Sequence, residues 1–221
     1  MAGKRIGVVL SGCGVYDGSE IHEATLTLFF LDRASAQIIA MAPNIPQHHV
    51  INHLTGEVTN ETRNCLVESA RITRGQVRDM AGVKADELDA IILPGGFGAA
   101  KNLSSVAFDG PNATVNPDVS RLLLDMVKAK KPIGALCITP AVLSKVLSGK
   151  GVVLTIGDDA GVAGAIEKMG NKHQESGYDG IVVDADNRIV TTAAYMCASS
   201  IGEAGQGIEK LVAKIMEMVS K

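Results

Sequence analysis

Six short apolar runs punctuate the chain: RIGVVL (5–10), QIIAMA (37–42), AIIL (90–93), PIGAL (132–136), VVLTI (152–156) and RIVTTA (188–193). They are near-continuous rather than alternating, and rich in valine and isoleucine, as strands buried on both faces must be. Helix-period segments lie between them. Val119, Leu122, Leu123, Met126 and Val127 form a stripe at i, i+3, i+4, i+7 and i+8. Asn116 and Pro117 start that helix, Asn as cap and Pro at the first helical position. Ile208, Leu211, Val212, Ile215, Met216 and Val219 make a second stripe, and residues 20–33 form a third helix directly after the first strand. This strand–helix alternation predicts an α/β fold, a three-layer sandwich around a mostly parallel, flavodoxin-like sheet. In such sheets ligands bind beyond the carboxyl ends of the strands, so the strand-to-helix loops are where chemistry is sought.

The rest of the pattern is weaker. Residues 104–118 are turn-rich and read as a surface loop or lid. Between residues 43 and 78, NHLTGEV reads as a hairpin turn and 61–72 as a helix. No internal repeat appears, and 221 residues fit one domain, 1–221, with a sizeable core.

Composition narrows the function classes. The net charge is -3 with no basic block, and aromatics are 3% with no Trp, which argues against nucleic acid as a partner. The first apolar stretch, Ile6 to Leu10, is too short for a secretory signal, and no run approaches the roughly 18 apolar residues of a membrane span. These features lead to the expectation of a cytoplasmic protein without membrane contact. The cysteines, Cys13, Cys65, Cys137 and Cys197, are widely spaced with no C-x-x-C, a pattern of neither a zinc site nor a disulfide framework. Each is then a small buried hydrophobe or a reactive thiol.

Four loops carry the candidate chemistry. SGCGVYDGSEIHE has Asp17 where a dinucleotide fingerprint needs its third glycine, and no Walker A pattern exists anywhere. The same loop leads to Glu20, His22 and Glu23; an acid in a first helical turn ordinarily serves the helix dipole, which suits Glu20, whereas Glu23 lies further in and can face the cleft. In ILPGGFGAAKNL, Gly95 and Gly96 free backbone amides for close approach to a ligand, or simply make a tight turn. In KPIGALCITPAVL, Cys137 stands between a strand and a helix. A nucleophile at such an elbow projects above the sheet, and the helix end favours its thiolate. The Ile138 amide, with one from Gly95 or Gly96, can form an oxyanion hole. His173, in an H-x-E arrangement with Glu175, is an accessory base candidate, as is Glu20 an accessory acid; a polar loop is the plainer reading of His173. Cys13 and Cys197 also fall in carboxyl-edge loops.

Together, the EIHEA, AIILPGGFGAAKNL and KPIGALCITPAVL stretches resemble the ThiJ/PfpI superfamily on the class I glutamine amidotransferase-like fold. The whole sequence looks like the bacterial ElbB group, described as glyoxalase or isoprenoid-biosynthesis proteins with an amidotransferase-like domain. The resemblance puts the family's nucleophile on Cys137, its first-helix glutamate on Glu23 and its oxyanion loop on Gly95 and Gly96. It implies a cofactor-free, metal-free glyoxalase that takes a small dicarbonyl such as glyoxal to glycolate, with protein deglycase activity a related possibility, in a homodimer. The chain departs from the pattern twice: Ile138 replaces the histidine of protease-like members, and Thr139 stands where the glutaminase signature has glycine. The alternatives are a glutaminase using Cys137 with His173 and Glu175, and a redox-responsive protein that senses oxidant through Cys137. No residue pattern points to a prenyl-diphosphate site.

Overall fold

The computed structural model describes residues 3–220. Its elements run β1 (Arg5–Val9), α1 (Ile21–Arg33), β2 (Gln37–Ala42), α2 (Cys65–Ile72), β3 (Arg78–Asp79), β4 (Ala90–Leu93), α3 (Phe97–Lys101), α4 (Val106–Asp109), α5 (Pro117–Lys128), β5 (Ile133–Leu136), α6 (Thr139–Val146), β6 (Val153–Leu154), α7 (Ala160–Lys168), β7 (Lys172–His173), β8 (Val182–Asp184), β9 (Ile189–Thr192) and α8 (Ile201–Ser220). The main sheet has the order β3-β2-β1-β4-β5-β9-β8. Its pairings are parallel except that of β8 with β9. The three-layer, flavodoxin-like fold is thus observed.

The apolar runs explain the layers. Side chains alternate across a strand. Ile6, Val8, Leu10, Ala90, Ile92, Leu136 and Val190 pack toward α1 and α8, with Leu31, Ile208, Leu211 and Ile215. Val9, Ile91, Leu93, Ile133, Ala135 and Ile189 pack on the opposite face against α5 and α6, through Val119, Leu122, Leu123, Met126 and Leu143. Both faces are covered, so neither set of positions can be polar. Asn116 caps α5 as expected, its Oδ1 accepting from the amides of Asp118 (2.9 Å) and Val119 (3.3 Å).

Three local expectations change. VVLTI does not add a strand to the main sheet: only Val153–Leu154 is extended, and it pairs with Lys172–His173 in a separate two-stranded sheet. The helix expected over 61–72 begins at Cys65, with Asn64 as its cap, while the hairpin turn at NHLTGEV is present as expected, closed by an antiparallel Ile51–Val58 bridge. Residues 104–118 fold back through a Ser104–Val115 bridge and carry α4.

The topology then places the site. From β1 the chain builds outward through β2 and β3, then returns to β4 on the other side of β1 and proceeds to β5 and β9. The strand order reverses between β1 and β4, and a crevice opens at the carboxyl ends there. The loops after β1, β4, β5 and β9 meet at that edge.

Candidate active site

Cys137 follows β5 and is held at φ 59, in the left-handed region that a non-glycine residue adopts at a cost of about 1–2 kcal/mol. The sharp turn lifts the sulfur above the sheet while α6 starts two residues later. Thr139 secures this elbow. Its buried hydroxyl accepts the Leu136 amide at 2.9 Å and lies 2.8 Å from the Leu93 carbonyl and 2.9 Å from that of Leu136. A glycine at 139 would supply none of these contacts, so the threonine ties the β5 elbow to the end of β4.

Glu23 comes from α1 and is fully buried. Its Oε2 accepts the Gly95 amide at 2.9 Å and its Oε1 the Tyr195 amide at 3.2 Å. Its carboxyl and the Cys137 thiol hydrogen-bond each other. Burial first, then the negative charge of Glu20, raise the Glu23 carboxyl to about 7, against the pull of the two amides and the thiol. Burial and the Glu23 charge push the Cys137 thiol well above its ordinary value, against the amides of Gly96 and Ile138 that favour its charged form. The helix-end argument for a resting thiolate is therefore outweighed. Cys137, a residue only 8% exposed and beside a carboxylate, rests as a thiol, with an acceptor for its proton already in contact.

The other expected residues divide. Gly95 has its amide committed to Glu23, and a methyl group there would lie 2.5 Å from Cys137 Cβ, 2.7 Å from Glu23 Oε2 and 2.8 Å from Cys137 Sγ. Glycine at 95 is thus what lets acid and thiol meet. The amides of Gly96 and Ile138 point at the sulfur instead. Gly96 has φ 100 and packs against the backbone of the first loop. Glu20 caps α1, its Oε2 accepting the Glu23 amide at 2.7 Å, and it also lines the cavity. The structure does not bring His173 to this place: it ends β7, its Nε2 accepts the Ile156 amide at 3.4 Å, and Glu175 is exposed.

The cavity has a volume of about 360 Å³ and is walled by Val15, Phe97, Ile138, Val162 and Met196, with Cys137 opening into it and Glu20, Asp159 and Tyr195 supplying its polar side chains. Tyr195 was not singled out from the sequence. The only available signal was its place in the carboxyl-edge loop after RIVTTA. Its phenol oxygen lies 2.7 Å from His22 Nδ1. The other thiols lie outside this lining. Cys65 is buried in the core, which raises it to about 12. Burial also raises Cys13 and Cys197, and Cys197 contacts Asp158 Oδ1 at 3.5 Å. Among the described residues no group of three or more His, Cys, Asp or Glu could hold a metal ion, and no helix is long and apolar enough to cross a membrane.

A strained cysteine at the elbow of a parallel sheet, facing an acid from the first helix, is the arrangement that the resemblance to amidotransferase-like proteins implied. Comparison with known proteins agrees, although no family model matches the chain. Over 227 residues it is 46% identical to the ES1 protein homolog, mitochondrial, of Rattus norvegicus, covering 98% of this chain and 85% of that one. It is 45% identical over 227 residues to the human glutamine amidotransferase-like class 1 domain-containing protein 3, mitochondrial, covering 98% of this chain and 84% of the human one. The crystal structure of an isoprenoid biosynthesis protein with amidotransferase-like domain from Ehrlichia chaffeensis superposes with a TM-score of 0.91 at 40% identity, covering 99% of this chain and all of the other. Glyoxalase III from Candida albicans shares the fold, at a TM-score of 0.62 and 15% identity. The chain belongs to the ES1 family of glutamine amidotransferase-like class 1 domain proteins. The expectation of a cytoplasmic protein is corrected by these relatives, whose names place them in mitochondria.

Proposed function

We propose that the protein is a cofactor-independent glyoxalase that converts glyoxal-type dicarbonyls to 2-hydroxy acids, glyoxal to glycolate. The observation that carries this reading is the buried Glu23–Cys137 pair, in which an acid raised to about 7 touches the nucleophile at the floor of a small, mostly apolar cavity. A general base is most effective when its pKa lies near the working pH.

The chemistry follows from the contacts. The sulfur attacks one aldehyde carbon while Glu23 takes the thiol proton, and the new oxyanion receives hydrogen bonds from the amides of Gly96 and Ile138. Glu23 returns its proton to that oxygen, giving a neutral hemithioacetal. It then removes the hydrogen from the sulfur-bearing carbon, and the electron pair moves through an enediol to the neighbouring carbonyl. Glu23 delivers the proton to the second carbon, and the hydroxyl proton of the first moves to the oxygen of the second. The first carbon is oxidised to a thioester and the second reduced to an alcohol, so no external oxidant or reductant enters. Water cleaves the glycolyl thioester, releasing glycolate and restoring the thiol. In the deglycase form of the reaction, a carbinolamine R–NH–CH(OH)–CHO on a protein amine would first break its C–N bond, the hydroxyl proton passing to nitrogen, to release R–NH2 and glyoxal, which then enters the same steps.

The site offers less to a glutaminase, because His173 and Glu175 stand apart from the cavity and the Cys137 partner is a carboxyl group. The test is glycolate formation from glyoxal, followed by NMR, in wild type and Cys137→Ala. The variant is expected to form none; a wild-type rate in the variant would refute the assignment.

A further inference from the structure

The proposed chemistry leaves one pair of side chains at the cavity unused. Tyr195 lines the same space as Cys137, and its phenol meets His22 Nδ1 at 2.7 Å. Two features fix its position. It follows Ala194, a non-glycine residue held at φ 44, and this turn aims the Tyr195 amide at Glu23 Oε1. His22 is the neighbour of Glu23 on α1, so both members of the pair are anchored to the helix that carries the acid. Burial, with Glu20 and Glu23 nearby, raises the phenol above its ordinary value, and it is an O–H donor at neutral pH.

The cavity needs such a donor. In the enediol step, negative charge grows on the oxygen of the carbon next to the one that bears sulfur. The amides of Gly96 and Ile138 are aimed at the sulfur and serve the first oxygen. Among the described residues no Lys, Arg, Ser, Thr or Asn lines the cavity. Its polar side chains besides the thiol are the carboxyl groups of Glu20 and Asp159 and the Tyr195 phenol, and of these the phenol is the neutral O–H donor.

We propose that Tyr195 is a further catalytic residue, whose phenol donates a hydrogen bond to the carbonyl oxygen adjacent to the sulfur-bound carbon, and that His22 is a positioning residue that holds the phenol in place. The phenol keeps its proton throughout. With Ile138 next to the nucleophile, the donor comes instead from the loop after β9, the sheet neighbour of β5. The inference rests on the glyoxalase reading for its substrate, but the contact itself is testable without glyoxal.

Tyr195→Phe keeps the backbone amide that holds Glu23. Its kcat on glyoxal is expected to fall by about 10²-fold, as for loss of one oxyanion donor, with little change in KM. The second readout is alkylation of Cys137, followed on its peptide by mass spectrometry with two reagents. Iodoacetamide carries a carbonyl next to the carbon that sulfur attacks, whereas methyl methanethiosulfonate has none. Tyr195→Phe should lower the iodoacetamide-to-thiosulfonate rate ratio by about 3–10-fold, the worth of one hydrogen bond. His22→Leu should lower it in the same direction, and His22→Gln, whose amide N–H can donate to the phenol oxygen as His22 Nδ1–H does and leave the phenol hydrogen for the substrate, should restore most of it. An unchanged ratio, or equal slowing with both reagents, overturns the inference. If the ratio falls but wild type makes no glycolate, the Tyr195 contact stands and the glyoxalase reading fails. If wild type makes glycolate and Tyr195→Phe matches it in both rate and ratio, the reading stands and the inference fails.

Discussion

The thiol of Cys137 and the carboxyl of Glu23 hydrogen-bond each other inside the protein, although the elbow after β5 and the helix α1 that carry them are more than a hundred residues apart in the chain. Both groups are pushed upward in pKa, and each is a cause of the other's behaviour. Their titrations are coupled, and between about pH 4.5 and 7 the pair holds more proton than two separate, exposed groups would.

Replacing the acid should therefore free the thiol. The Glu23 charge and its hydrogen bond both raise the Cys137 thiol, while the Gly96 and Ile138 amides lower it. In Glu23→Gln the two raising influences of the carboxylate are gone and the amides remain, so the thiol pKa should fall. The pH dependence of iodoacetamide alkylation at Cys137 measures this. A rise, or no change, would mean that the pair is not electrostatically coupled.

The same acid makes stability depend on pH. Glu23 has a folded value of about 7 against 4.5 for the free group, so the folded chain binds this proton more tightly than the unfolded one. Its protonation favours the folded state fully below pH 4.5, and that stability is lost as pH rises through about 7. The shift corresponds to a loss of about 3 kcal/mol. Urea unfolding of wild type at about pH 5 and pH 8 should show the loss, and Glu23→Gln should remove most of the difference.

Gly95 tests the close approach directly. A methyl group there meets Cys137 Cβ at 2.5 Å and Glu23 Oε2 at 2.7 Å. Gly95→Ala should force thiol and acid apart, lower glycolate formation by at least about 10²-fold, and destabilise by about 1–3 kcal/mol through overpacking. Steady-state rates and urea midpoints check the two effects separately.

Thr139 tests the elbow. Its hydroxyl is buried and joins β4 to β5 through Leu93 and Leu136. Thr139→Ala should cost about 1–3 kcal/mol by leaving backbone groups unpaired, whereas Thr139→Ser should retain most of the stability. Equal loss in both variants would show that the methyl group, not the hydroxyl, secures the turn.

Much of this arrangement was legible in the sequence because it depends on local signals. Runs such as AIIL and PIGAL are apolar at every position, and only a strand covered on both faces needs that. The cysteine at the end of PIGAL and the glycines after AIIL mark carboxyl-edge loops once the sheet is accepted as parallel. VVLTI misled because its apolar run matches the others, yet the extended part is two residues long and pairs outside the main sheet. Such pairing is a long-range choice that periodicity does not carry. The strand β3 is two exposed residues, too short and too polar to leave a pattern. Tyr195 was missed for a related reason. Its value comes from the left-handed turn at Ala194 and from His22 on a distant helix, neither of which is visible in AAYMC. The expected resting thiolate overweighted the helix end, because burial and the charge of Glu23 are properties of the assembled site.

The central claim is that Glu23 moves the proton between two carbons of a substrate bound to Cys137. It is tested most directly by exposing wild type and Glu23→Gln to glyoxal, while following glycolate by NMR and Cys137 by mass spectrometry. The account predicts that wild type turns over without accumulating adduct. Glu23→Gln should form the glyoxal adduct on Cys137 but release glycolate at least about 10²-fold more slowly, as expected for loss of a general base. Glycolate release by Glu23→Gln at the wild-type rate would contradict it.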